Sequence, residues 1–127
     1  MSKEIREGLK HTSTLVVEER HLARTVGSGD LRVLATPMMM ALMENAAMLC
    51  VAPHLQAGET TVGSRIETTH LRPTPVGEEI RATATLTAAE GRKLTFHVEA
   101  TDKNGLIGEG THVRYIVSRE RFMAKMK

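Results

Sequence analysis

The chain has 127 residues and a formal net charge of +2, from 17 Lys and Arg against 15 Asp and Glu. That length suits one domain with a real core, and the mixed, nearly neutral charge argues against a dedicated nucleic-acid surface. Phe96, Tyr115 and Phe122 are the only aromatic residues, too few for base-stacking platforms.

Residues 1–11 read as a flexible arm. They are charged and hold no apolar run of the signal-peptide kind. Thr12 to Val17 (TSTLVV) is rich in β-branched residues and predicts a strand. The polar stretch that follows reads as loop; its Gly27-Ser28-Gly29-Asp30 is too short to argue for phosphate binding.

Pro37 to Ala52 reads PMMMALMENAAMLCVA. Its only charged side chain is Glu44, and Asn45 is the only other polar one. A helix apolar all round is a buried helix, and a buried carboxylate suffers a heavy desolvation penalty. Two readings stay open: a functional acid, or a structural Glu satisfied by buried hydrogen bonds or a partner chain. Thr36 suits an N-cap and Pro37 the first helical position, so the helix is placed from Thr36 to Pro53. It is shorter than a membrane span of about 17 residues or more. The single cysteine, Cys50, lies on it. No intrachain disulfide is possible, and a reducing, cytoplasmic setting is expected.

Four strands follow, at Thr60–Leu71, Ile80–Ala88, Lys93–Thr101 and Leu106–Val117. Ile80, Ala82, Ala84, Leu86 and Ala88 alternate with polar residues, as do Leu94, Phe96, Val98 and Ala100: period two with one wet face. Glu90-Gly91 and Asn104-Gly105 supply hairpin turns. The layout of strand, buried helix and four antiparallel strands predicts an α+β hot-dog fold, with a curved sheet of about five strands around one helix. Its open side and sheet edges call for a homodimer or dimer of dimers. No linker or repeat divides residues 1–127. The tail RERFMAKMK reads as a short basic helix packed on the sheet, not a membrane anchor.

On the first strand after the helix, Val62, Ser64, Ile66, Thr68 and His70 are expected to share the inward face, with His70 near the end. A lone histidine there is ordinarily structural; proximity to Glu44 would change that. Thr36 and Glu44 are eight positions apart. On a helix they are offset by about 80° and roughly 12 Å along the axis. One protomer does not easily bring both to one atom; either a dimer sets the helix N-terminus of one chain against the acid of another, or a substrate lies along the helix. The expected pocket lining is Val33, Leu34, Met39, Met40, Met43 and the inward face of residues 62–70.

VLATPMMMALMENAAM, TVGSRIETTHLRPTPVG and EGRKLTFHVEATDKNGLIGEGTHVRYIV resemble the thioesterases similar to the fluoroacetyl-CoA-specific thioesterase. The resemblance runs from about Leu15 to the C-terminus. It implies a hot-dog hydrolase of acyl-CoA thioesters with Thr36, Glu44 and His70 as its catalytic set. It further implies Gly63 with its backbone at the site and Arg114 as a nearby basic residue. The fluoroacetate-acting member covers its pocket with aromatic side chains before the helix. Residues 22–35 here contain none, so selection for a fluorinated acyl group is not expected.

The residues fit that chemistry. Glu44 can attack the carbonyl or activate water. The helix N-terminus at Thr36 suits an oxyanion, and His70 can protonate the departing thiolate. No cofactor is expected beyond the CoA of the substrate, and the six histidines show no metal-ligand spacing. The alternatives are a non-catalytic acyl-CoA-binding module and a hot-dog hydratase or dehydratase.

Overall fold

A computed structural model describes residues 4–126. Its elements are β1 (Lys10–Val16), a 3-10 turn (Glu19–His21), α1 (Ala23–Val26), α2 (Thr36–Val51) and a second 3-10 turn (Ala52–His54). Then come β2 (Glu59–His70), β3 (Glu79–Glu90), β4 (Lys93–Asp102), β5 (Gly105–Ser118) and α3 (Arg119–Ala124). The five strands form one antiparallel sheet in the order β1-β3-β4-β5-β2, with α2 packed across its inner face. This is the expected hot-dog arrangement. Among the described residues no helix is long and apolar enough to cross a membrane.

The inner face is set by period two. Ile80, Ala82, Ala84 and Leu86 of β3 and Leu94, Phe96, Val98 and Ala100 of β4 are all buried. They meet Met39, Met43, Ala46, Ala47 and Cys50 of α2, a stripe at helical spacing. Burial raises the Cys50 thiol above its usual range, with a main-chain contact at Leu86 pulling partly back, so it stays a protonated core group. Gly108 of β5 is required for close approach: a Cβ there would lie 2.7 Å from Met39 Sδ.

The opposite stripe of α2 differs from expectation. Pro37 and Ala41 are exposed, Glu44 and Met48 are only partly buried, and Leu49 is 39% exposed. The helix is apolar all round, yet the chain leaves one stripe of it open.

Three further departures matter. The arm expected over residues 1–11 is shorter: its first three residues lie outside the described ones, Ile5 and Leu9 pack on the core, and β1 begins at Lys10. The stretch between β1 and α2 is not plain loop. Leu22 and Leu34 form an antiparallel bridge, both fully buried, and the exposed residues 27–32 loop out between them. Third, β2 carries a bulge: Gly63 pairs with Arg114 and Arg65 with Val113, leaving Ser64 as the extra residue. An extra residue shifts the alternation by one. Thr61 and Gly63 therefore face inward before the bulge, and Ile66, Thr68 and His70 after it. Val62 and Ser64 leave the inward row in which the alternation had placed them.

Candidate active site

Two clusters of polar side chains lie where β2 passes α2, one towards each end of the inward row of β2.

The first is at the head of α2. Ala35, extended at φ −71° and ψ 136°, is the N-cap, so Thr36 is the first helical residue and Pro37 the second. The helix begins there because the N–H groups of Met38 and Met39 both reach Ala35 O; proline is tolerated where N–H groups have no intrahelical partner. Thr36 is thus not the cap. Its hydroxyl is free to lie 2.7 Å from His70 Nδ1. The other ring nitrogen, Nε2, is buried without a hydrogen-bond partner among the described residues. Burial lowers the His70 pKa below the usual histidine range, with the main chain at Arg72 offsetting part of the effect. His70 is therefore neutral at pH 7.

The exit of β2 is clamped just beyond His70. Leu71 N–H donates to Ile107 O at 2.6 Å and Arg72 Nε to Leu106 O at 3.2 Å. Arg72 Nη2 reaches Asp102 Oδ1 at 2.9 Å, and Thr74 Oγ1 donates to Asp102 Oδ2 at 3.0 Å. Burial would raise the Asp102 carboxyl. Hydrogen bonds from Asn104 N–H and Thr74, with the Arg72 charge, more than offset it and hold the group below the usual carboxylate range. A cleft of about 240 Å³ opens beside Thr36 and His70, lined also by Ala23, Ser28, Val33, Leu34, Leu71, Arg72 and Pro73. Val33 and Leu34, expected in the pocket lining, are on the wall of this cleft. Met39 and Met43, expected in the lining, are fully buried in the core, and half-buried Met40 does not line this cleft.

The second cluster surrounds Glu44. A Cβ built on Gly63 would lie 2.9 Å from Glu44 Oε2, 3.2 Å from His112 Cε1 and 3.4 Å from Arg114 Nη1. Glycine therefore leaves a notch walled by a carboxylate, an imidazole and a guanidinium. Arg114 is buried, and burial lowers its pKa while the Glu44 charge pulls it back up. His112 belongs to this cluster and was missed in the sequence. Period two places it on one face of β5 with Arg114, opposite the more hydrophobic Val113 and Tyr115, so alternation alone points the wrong face inward.

The structure thus brings Thr36 to His70, and Glu44 to Gly63 and Arg114. It does not bring Glu44 to the Thr36–His70 pair within one chain. The two clusters lie seven positions apart on β2, from Gly63 to His70.

The model of the fluoroacetyl-CoA-specific thioesterase family matches residues 17–120. The fluoroacetyl-CoA thioesterase of Streptantibioticus cattleyicolor is 42% identical over 95 residues, covering 75% of this chain and 68% of that protein. A solved structure of the fluoroacetyl-CoA thioesterase FlK superposes with a TM-score of 0.91 at 35% identity, over 98% of this chain and 96% of that one. A variant of FlK solved with acetyl-CoA gives a TM-score of 0.91 at 35% identity, over 96% of each chain. A thioesterase-superfamily protein of Thermus thermophilus gives 0.90 at 30% identity, over 98% of this chain and 92% of that one.

Proposed function

The chain belongs to the fluoroacetyl-CoA-specific thioesterase family, and from that premise we propose that it hydrolyses a small or medium acyl-CoA thioester to the free acid and CoA. The observation that carries the reading is the Thr36 hydroxyl 2.7 Å from His70 Nδ1, at the head of α2 and on the wall of a cleft.

The working site is composite. β2 is an edge strand, and the open stripe of α2 runs beside it. A two-fold axis passing near Ile66 pairs this edge with its copy antiparallel, and a two-fold interface sets each patch against its counterpart. It carries the Glu44 cluster of one protomer to the Thr36–His70 cluster of its partner. The dimer therefore holds two complete sites and covers the apolar stripe.

In each site Glu44 supplies the attack on the thioester carbonyl, directly or through a water whose proton it takes. The negative oxygen that forms faces the positive end of α2. On the water route the proton that Glu44 takes passes by way of His70 to the thiolate as the C–S bond breaks, leaving the free acid. On the direct route the C–S bond breaks to give an anhydride on Glu44 and a thiolate, and the water that then cleaves the anhydride supplies, through His70, the proton the thiolate takes. The Thr36 hydroxyl holds the imidazole in place. CoA enters as part of the substrate, and no cofactor is used. The buried, protonated Cys50 suits a reducing compartment, and the cytoplasm is the proposed location.

The test is release of free CoA from short, branched, aromatic and long acyl-CoAs. Turnover on a short or medium member is expected. Stoichiometric binding without release would overturn hydrolysis in favour of a binding module. With no aromatic side chain in residues 22–35, fluoroacetyl-CoA and acetyl-CoA should differ by less than about a hundredfold in kcat/KM, near 2.7 kcal/mol. A larger ratio would show that selection for fluorine arises elsewhere in the site.

A further inference from the structure

His112 is 1% exposed and lies on the inner face of β5, two residues before Arg114. Both ring nitrogens are occupied. Nδ1 is 2.7 Å from the main-chain oxygen of Arg65, and Nε2 is 3.2 Å from Arg114 Nη1. A carbonyl only accepts, so Nδ1 carries the proton; a guanidinium only donates, so Nε2 accepts. The ring is neutral and held in one tautomer. Burial lowers its pKa first. The Arg65 carbonyl and the Glu44 charge pull upward, while the Arg114 charge pushes down.

Arg114 is fixed on three sides by neutral groups. Nε donates to Thr61 Oγ1 and Nη2 to Thr61 O, each at 2.9 Å, and Nη1 donates to His112. The Thr61 bonds hold one edge of the guanidinium plane. The bond to His112 holds the other, and it uses only one of the two Nη1 protons. The second proton is left on the nitrogen that borders the notch over Gly63, where Glu44 Oε2 forms the facing wall. The charge acting on Arg114 is that of Glu44, although the two do not touch.

We propose that His112 is a positioning residue for thioester hydrolysis: as a neutral acceptor it fixes the Arg114 guanidinium so that a free Nη1–H and its charge face the notch beside Glu44. The inference rests on the thioesterase reading of this site. Its energetic logic is preorganisation. Negative charge that Glu44 passes to the reacting oxygen develops beside a cation already aimed at it, without reorganisation at the moment of reaction. His112 also ties Arg65, the residue after the bulge, to Arg114, so the wall of the notch and its cation move as one unit.

The test uses full-length His112→Leu, His112→Gln and Arg114→Leu, and the double variant His112→Leu/Arg114→Leu. Steady-state hydrolysis of the best acyl-CoA is read together with thermal midpoints. His112→Leu should lower kcat by roughly 10- to 100-fold, no more than the loss of a direct oxyanion donor, with KM within about threefold. His112→Gln keeps a donor and an acceptor and should recover most of kcat. In the Arg114→Leu background, His112→Leu should cost little more, because its partner is already gone. Three results would overturn the role: unchanged kcat in His112→Leu, equal losses in Leu and Gln variants that track the folded fraction, or full additivity in the double variant. An inactive wild-type enzyme would instead overturn the hydrolase reading itself.

Discussion

The two ends of β2 hold polar clusters of opposite character. Around Gly63, each hydrogen-bonding group of His112 and the outer edge of Arg114 is paired, and both residues are buried. Around His70, Thr36 is exposed and His70 Nε2 is buried with no partner among the described residues. A buried polar atom left unpaired is costly and calls for a reason. One end is a finished electrostatic cradle. The other leaves a buried ring nitrogen unpaired among the described residues. The two ends differ in kind: the polar groups beside the acid are paired and buried, and the imidazole end borders an open cleft.

The largest expected effect falls on the finished end. Glu44→Gln preserves size and removes the charge. It should lower kcat by at least about a thousandfold, near 4 kcal/mol, while the fold persists by circular dichroism and thermal melting. Substantial retained turnover would remove Glu44 from the chemistry, and collapse of the fold would make it a structural acid.

At the imidazole end the effect should be smaller. His70→Ala should slow kcat by about a hundredfold or more and change KM little. Burial favours the neutral ring, so in the wild type kcat should fall on the acid side, bending below the unperturbed value of about 6.5. That bend should vanish in His70→Ala. A rise in KM with unchanged kcat would make His70 a binding residue.

The smallest effect on chemistry, but a visible one on stability, is expected at the clamp behind His70. Asp102→Asn leaves the shape and removes the charge that Arg72 and Thr74 meet, at a cost of about 1–3 kcal/mol. The Asp102 pKa is depressed in the fold, so its contribution is full above the unfolded value of about 3.9 and is lost as pH falls through the folded value. The gap in thermal midpoint between wild type and variant should be wide at pH 7 and close below about pH 4. A gap independent of pH would mean that shape, not charge, holds the clamp.

Most of this architecture was readable in the chain. All four strands after the helix begin and end within two residues of their predicted limits, because strict alternation and Gly-containing turns mark them. The helix was equally plain, and Glu44 stood out as its one charge. What escaped has physical reasons. Alternation reads face by parity, and the extra residue at Ser64 reverses parity without changing the hydrophobic pattern; Gly63 beside it was the available sign, since glycine within a strand often marks a bulge. The inner face of β5 carries Gly108, Gly110, His112 and Arg114, the reverse of what a core-facing row looks like. From the Thr-Pro pair alone Thr36 reads as a cap, and only the family resemblance put it in the catalytic set; the main-chain bonds to Ala35 O are what release its hydroxyl.

The separation of the two clusters along an unpaired edge has a kinetic consequence. If each site is completed by a second chain, an isolated chain carries every reacting group and still cannot turn over. Specific activity then rises with enzyme concentration, and at high dilution the rate approaches second order in protein. The amount of enzyme made would set not only how many sites exist but what fraction of chains are switched on, a response to gene dosage steeper than proportional.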